Sequence, residues 1–268
     1  MVTLQFQQLV VHPGQRIQLQ GVSWSEFEAI LKELGHKRAA RIAYSDGVLE
    51  IRQPLLKHEK AKVLIGDMVK ILLEELDIDN ECFGSTTFKR QDIAKKMFVN
   101  TNCTPIRPLN PPELGDFEQK RLESPPELGG WGASARLYAN LQTLSKGIEP
   151  GQCFYIENAA QMIGKRRLDL TIDPPPDLAI EVDVTSKTGL DAYQSFGVPE
   201  LWRFEDGQLR ISLLQQGQYH DASASPHFPN FPIVDSISQC IDRSRTEGRS
   251  QILKAFRQWV REFAKTTD

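Results

Sequence analysis

The strongest hydrophobic periodicity lies between Ala61 and Leu76, where Ala61, Leu64, Ile65, Met68, Val69, Leu72, Leu73 and Leu76 recur at steps of three and four. That spacing predicts a helix with one broad apolar face laid against a sheet, and it puts His58 and Glu59 in the first turn. An earlier helix is predicted from Ser23 or Ser25, either of which can cap it. Phe27, Ile30, Leu31 and Leu34 share its buried face, and Gly35 ends it. Two stretches alternate instead. Arg41–Tyr44 and Val48–Arg52 flank Asp46-Gly47, and Leu201–Phe204 and Leu209–Leu213 flank Asp206-Gly207. Each is the signature of a two-residue hairpin. Cys153–Ile156 reads as a buried strand, and a further helix is expected near Leu190–Phe196, closed by Gly197 and Pro199.

The segment from Pro174 to Lys187 is unusual, because carboxylates interrupt a short apolar strand led in by three prolines. Alternation puts Asp177, Ala179, Glu181 and Asp183 on one face and Leu178, Ile180, Val182 and Val184 on the other. Glu181 and Asp183 would then stand roughly 6–7 Å apart. Two carboxylates that close repel unless a cation, a proton or a basic side chain lies between them, and a divalent metal suits the gap. A sheet edge whose polar face meets water is the other reading.

From about Met97 to Ser145 periodicity fails, and Pro-Pro-Glu-Leu-Gly occurs twice, at Pro111–Gly115 and Pro125–Gly129. So long a loop within a domain points to an insertion, or to a small docked unit using Trp131, Leu137 and Leu141. At the C-terminus Ile252, Leu253, Phe256, Trp259, Val260 and Phe263 form a stripe, with Arg249, Lys254, Arg257 and Arg261 outside it. Such a helix can dock on its own domain, or meet a membrane or a partner.

Composition narrows the function classes. With 268 residues, 40% hydrophobic and 25% charged, the chain can bury a substantial core, and its formal charge of −3 gives no bulk attraction to nucleic acid. Phosphate contacts would have to come from local clusters such as Lys89-Arg90 and Lys165-Arg166-Arg167. The four cysteines form no CxxC pair, which argues against structural zinc and a disulfide framework. Ser85 and Ser186 lack a triad signature, and there is no phosphate-binding glycine loop. With no leader-like start and no apolar run of about 18 residues, a cytoplasmic protein without a membrane span is expected.

The run Pro175–Ser186, followed by Tyr193 and Gly197-Val198-Pro199-Glu200-Leu201-Trp202, resembles the restriction-endonuclease family abundant in cyanobacteria, part of the PD-(D/E)XK nuclease superfamily. Gly84-Ser85-Thr86-Thr87 and the His58-Glu59 helix start match it too, and the likeness covers about residues 14–96 and 146–214. The resemblance implies an α/β restriction-endonuclease-like core, a mixed sheet flanked by helices. Residues 1–235 would form it, interrupted by the looped insertion at about 97–145, with a C-terminal helical extension over 236–268. It implies metal-dependent hydrolysis of DNA, with Mg²⁺ (or Mn²⁺) held by carboxylates and lowering the pKa of a bound water. Glu181 matches the acid of the (D/E)XK element and Glu59 the helical glutamate, with Asp183 as the neighbouring carboxylate. Asp183 also occupies the usual lysine position, which leaves Lys187 as the nearest basic group for the water. Duplex cutting implies a homodimer by analogy.

One departure matters. Where the family reads Pro-Asp, this chain reads Pro150-Gly151, so one of the two main metal ligands is missing. Glu149 adjoins the gap, and Asp169, Asp173 and Asp177 lie closer in sequence to Glu181. An impaired nuclease is therefore expected, and the rival is a catalytically inactive nucleic-acid-binding or scaffold protein that retains the fold.

Overall fold

The computed structural model describes residues 9–35, 40–84, 86–93, 144–165, 168–182 and 187–267. In chain order the elements are β1 (Arg16–Leu19), α1 (Trp24–Leu34), β2 (Arg41–Ser45), β3 (Val48–Arg52), α2 (Leu56–Glu75), β4 (Glu81–Phe83) and β5 (Phe88–Ile93). They continue as β6 (Leu144–Ile148), β7 (Gln152–Tyr155), α3 (Ala159–Met162), β8 (Leu178–Val182), α4 (Lys187–Phe196) and β9 (Glu200–Glu205). The last are β10 (Gln208–Gln215), β11 (Gln218–Ala222), α5 (Ile233–Arg243) and α6 (Arg249–Thr267). Nearly all of the sequence between Lys96 and Lys146, including both Pro-Pro-Glu-Leu-Gly copies, lies outside the described residues. Its far boundary moves, because β6 already begins at Leu144.

Local signals explain the elements that build the site. Ser23 caps α1 in a full capping box with Glu26. Both two-residue turns hold their central residues at positive φ (Asp46 47°, Gly47 85°; Asp206 51°, Gly207 79°), the conformation that lets two twisted strands return on themselves. The first turn sets the pairing of β2 with β3 from Ser45↔Val48 back to Arg41↔Arg52.

Two sheets result. One has the order β1-β3-β2-β6-β5, and the other β11-β10-β9-β8-β7-β4. In the second, β8 and β9 run parallel, joined through α4, while the other pairs are antiparallel. Three apolar clusters define the layers. Phe27 and Ile30 of α1 pack on Ile42, Tyr44, Leu49 and Ile51 of the first sheet. Ala192, Tyr193 and Phe196 of α4 lie with Ala43, Phe88 and Ile148 of that sheet and Ala179 and Leu201 of the other. Helices α2, α5 and α6 cover the remaining face, packed on Leu178, Ile180, Val182 and Trp202. Strand β8 is buried on both faces, and its alternation sends Ala179 toward α4 and its aliphatic neighbours toward α2.

Helix α6 docks on its own domain. Ile252, Phe256 and Val260 enter the large core. Arg257 pairs with Glu74 and Glu75, Arg261 with Glu75, and Arg249 with Asp67, all on α2. Among the described residues no helix is long and apolar enough to cross a membrane.

Candidate active site

Glu59 and Glu181 face the same pocket. They line one small pocket together with Arg41, Arg52, Pro54, His58, Lys62, Gly151 and Val182. Glu181 reaches it from the end of β8, Glu59 from the first turn of α2, and the two arginines from the facing ends of the β2–β3 hairpin.

Each acid already has a cation. Glu181 is 2% exposed, and its Oε2 accepts from Arg52 Nη2 at 2.9 Å. Its Oε1 accepts from the Tyr193 hydroxyl at 2.5 Å. Burial alone would lower the Arg52 pKa, but the charge of Glu181 and the hydrogen bond to it outweigh burial and raise it. Burial and then the neighbouring Glu181 charge push Tyr193 well above the ordinary phenol range, which keeps it a donor. Glu59 is paired with Lys62, one helical turn on, and lies 3.6 Å from Arg41 Nη2. Burial raises the Glu59 carboxyl, and Lys62 and Arg41 more than reverse it, so its pKa is lowered.

The missing carboxylate leaves no space behind. A Cβ built on Gly151 would lie 2.7 Å from the Ile180 carbonyl oxygen and 3.0 Å from Cδ of Lys62. The backbone of β8 and the stem of Lys62 fill the ground that a side chain there would need. What remains is a cavity of about 10 Å³, roughly room for one water.

The other candidate acids have structural work. Asp177 accepts from the backbone N–H of Ile156 at 2.7 Å and from Asn158 Nδ2 at 3.0 Å, which ties the β7–α3 turn to the start of β8. Asp173 pairs with Lys165 and accepts from Asp169 N–H, and Asp169 accepts from the Thr171 hydroxyl. Glu149 accepts from the Thr87 hydroxyl at 2.9 Å. None of the four lines the pocket. The basic clusters are likewise engaged. Lys89 pairs with Glu28, and Arg90 donates to the carbonyls of Leu170 and Ser195. Asp183, Ser85, Ser186, Arg166, Arg167 and the Lys187 side chain lie outside the described residues.

The described residues of the pocket do not by themselves fit a divalent metal. A hard ion must find anionic oxygens free to replace its waters. Here both described carboxylates are ion-paired, and the third position is a glycine without room. Among the described residues no group of three or more His, Cys, Asp or Glu side chains could hold a metal ion. The pocket does suit an anion, since three cations stand against two carboxylates. Arg41, Arg52 and Lys62 are the residues that sequence reasoning missed. Two signals for them existed: the hairpin register, which opposes Arg41 and Arg52, and the i, i+3 spacing of Glu59 and Lys62.

Comparison with known families agrees with this fold. Residues 117–240 match the family model of Uma2, described as "Putative restriction endonuclease". The match takes in Gly151, Glu181, Asp183 and Lys187 and stops short of Glu59, whose place in the site rests on geometry. No curated protein matches the chain.

Proposed function

We propose that this chain, with the restriction-endonuclease-like fold of that family, binds DNA at the Glu59–Glu181 pocket and does not cleave it. The observation that carries this reading is the pair of internal ion pairs, Arg52–Glu181 and Lys62–Glu59, beside Gly151. A metal would have to displace both cations. The Arg52–Glu181 pair is buried on the acid's side and costly to break, the Lys62–Glu59 pair is part-exposed and less so, and without a carboxylate at 151 the new partner has fewer oxygens to bind. One net positive charge at the mouth favours a backbone phosphate instead.

A second reading is supported by the convergence of Glu59 and Glu181. In it, those two acids and Asp183 would hold Mg²⁺ or Mn²⁺, which would supply an activated water near Lys187, and two copies would combine to cut a duplex.

One experiment separates the two. Fluorescence anisotropy of a labelled duplex should show binding that weakens steeply with salt and is reduced severalfold in Lys62→Ala. Supercoiled plasmid in Mg²⁺ or Mn²⁺ should be nicked no faster than by Glu181→Ala. Nicking that disappears with Glu181→Ala would establish the second reading, and absence of DNA binding at low salt would sink the first.

A further inference from the structure

A second and much larger cavity, about 520 Å³, opens beside the site pocket and shares His58 and Val182 with it. Its volume is in the range of small-molecule sites. The apolar part of its wall is Ala61, Val182, Phe204 and Ile241, all members of the large core. Those side chains are held by packing, so the cavity is a formed feature of the fold. The polar part mixes signs, with Lys57, Lys60 and Arg245 against Glu205, Asp206 and Asp242. Two of those cations are engaged, Lys60 with the Ser244 carbonyl and Arg245 with Asp242 at 3.2 Å.

We infer that this cavity receives an unpaired nucleobase of the DNA strand whose phosphate sits at the neighbouring pocket. This rests on the reading that DNA engages that pocket. The division of charge between the two cavities supports it. The small pocket is net positive and suits a phosphate, while the large one is balanced and suits a neutral group that both donates and accepts hydrogen bonds. A base has such edges and an apolar face, and the Phe204 ring and its aliphatic neighbours offer that face a wall. The shared residues make the cavities adjacent, as a phosphate and the base next to it require. Extruding a base from a duplex has an energetic cost that is smallest where the base is already unpaired.

The test compares two labelled duplexes of one sequence, one fully paired and one with a single extra unpaired adenine, in anisotropy titrations with the full chain. The unpaired base should tighten binding about tenfold. Truncating Phe204 could unfold the core, so the cavity is filled from its exposed lips, by Asp242→Trp in one variant and Lys57→Trp in another. In both, the ratio between the two duplexes should fall to near one. A ratio of one in the natural protein, or an undiminished ratio in both filled variants, overturns the base pocket and leaves the DNA-binding reading standing. Failure to bind either duplex removes that reading and the base pocket with it.

Discussion

Two glutamates on neighbouring strands are equally buried and oppositely treated. Glu181 is the penultimate residue of β8 and Glu200 begins β9, and Leu178, in register with Glu200, lies three residues from Glu181. Their exposures are 2% and 1%. Glu181 receives a guanidinium from the other sheet at 2.9 Å and a phenol at 2.5 Å. Glu200 receives the Trp202 indole N–H at 2.6 Å, while His227 Nε2 stands 3.5 Å from its other oxygen. Burial pushes the Glu200 carboxyl up, and Trp202, Ser225 and His227 offset this only in part. One acid is paired with a cation at a cavity, and the other is drawn toward neutrality inside the core. The partner, not the burial, separates a site from a strut.

The largest effect should come from removing the cation paired with Glu181. Arg52→Ala leaves a buried carboxylate with a phenol in place of a countercharge, and should cost about 3 kcal/mol of unfolding free energy. Urea denaturation at pH 7 measures it. Adding Glu181→Gln to Arg52→Ala should recover a good part of the loss, because the stranded charge is then gone. A loss under about 1 kcal/mol for Arg52→Ala would mean that water already solvates Glu181 and that the contrast with Glu200 is false.

A smaller loss is expected where the family's aspartate is restored. Gly151→Asp places a Cβ 2.7 Å from a backbone carbonyl in a paired strand, and β8 or the stem of Lys62 must shift to admit it. Overpacking of this kind should lower stability by about 2 kcal/mol, visible as a reduced Tm. A variant of unchanged Tm that nicks plasmid in Mg²⁺ would show that the strand yields easily and that the site is only one residue from competence.

Much of this is legible in the sequence. The alternation of Leu178–Val182 sends Glu181 to the α4 face and Ile180 to the α2 face, and two Asp-Gly turns set two hairpins. The helical period from Ala61 places Glu59 at the start of α2, where it lines one pocket with Glu181. What pattern could not supply was the partner of each charge. Asp177 has the same alternation phase as Glu181, yet it caps a turn at the other end of the strand. Arg52 reaches Glu181 from 129 positions away, between two sheets whose packing no local period encodes. The hairpin register did hold a clue, since Arg41 directly opposite Arg52 is repulsive unless acids lie between them.

The smallest effect is also the one that reverses in sign. Glu200→Gln retains an oxygen for the Trp202 N–H and removes the charge that burial opposes. Because the folded pKa of Glu200 is raised, its contribution to stability is fully present below the unfolded carboxylate value of about 4.3 and is lost as pH rises through the folded value. The glutamine, neutral throughout, does not lose it. The variant should therefore match the natural protein below about pH 4 and exceed it by on the order of 1 kcal/mol at neutral pH. The same change at Glu181 should destabilise at neutral pH, since it strips Arg52 of its countercharge. Denaturation curves at pH 4 and pH 7 give the sign directly. If Glu200→Gln weakened the protein at pH 7, Glu200 would be ionised in the fold, and the two glutamates would be alike after all.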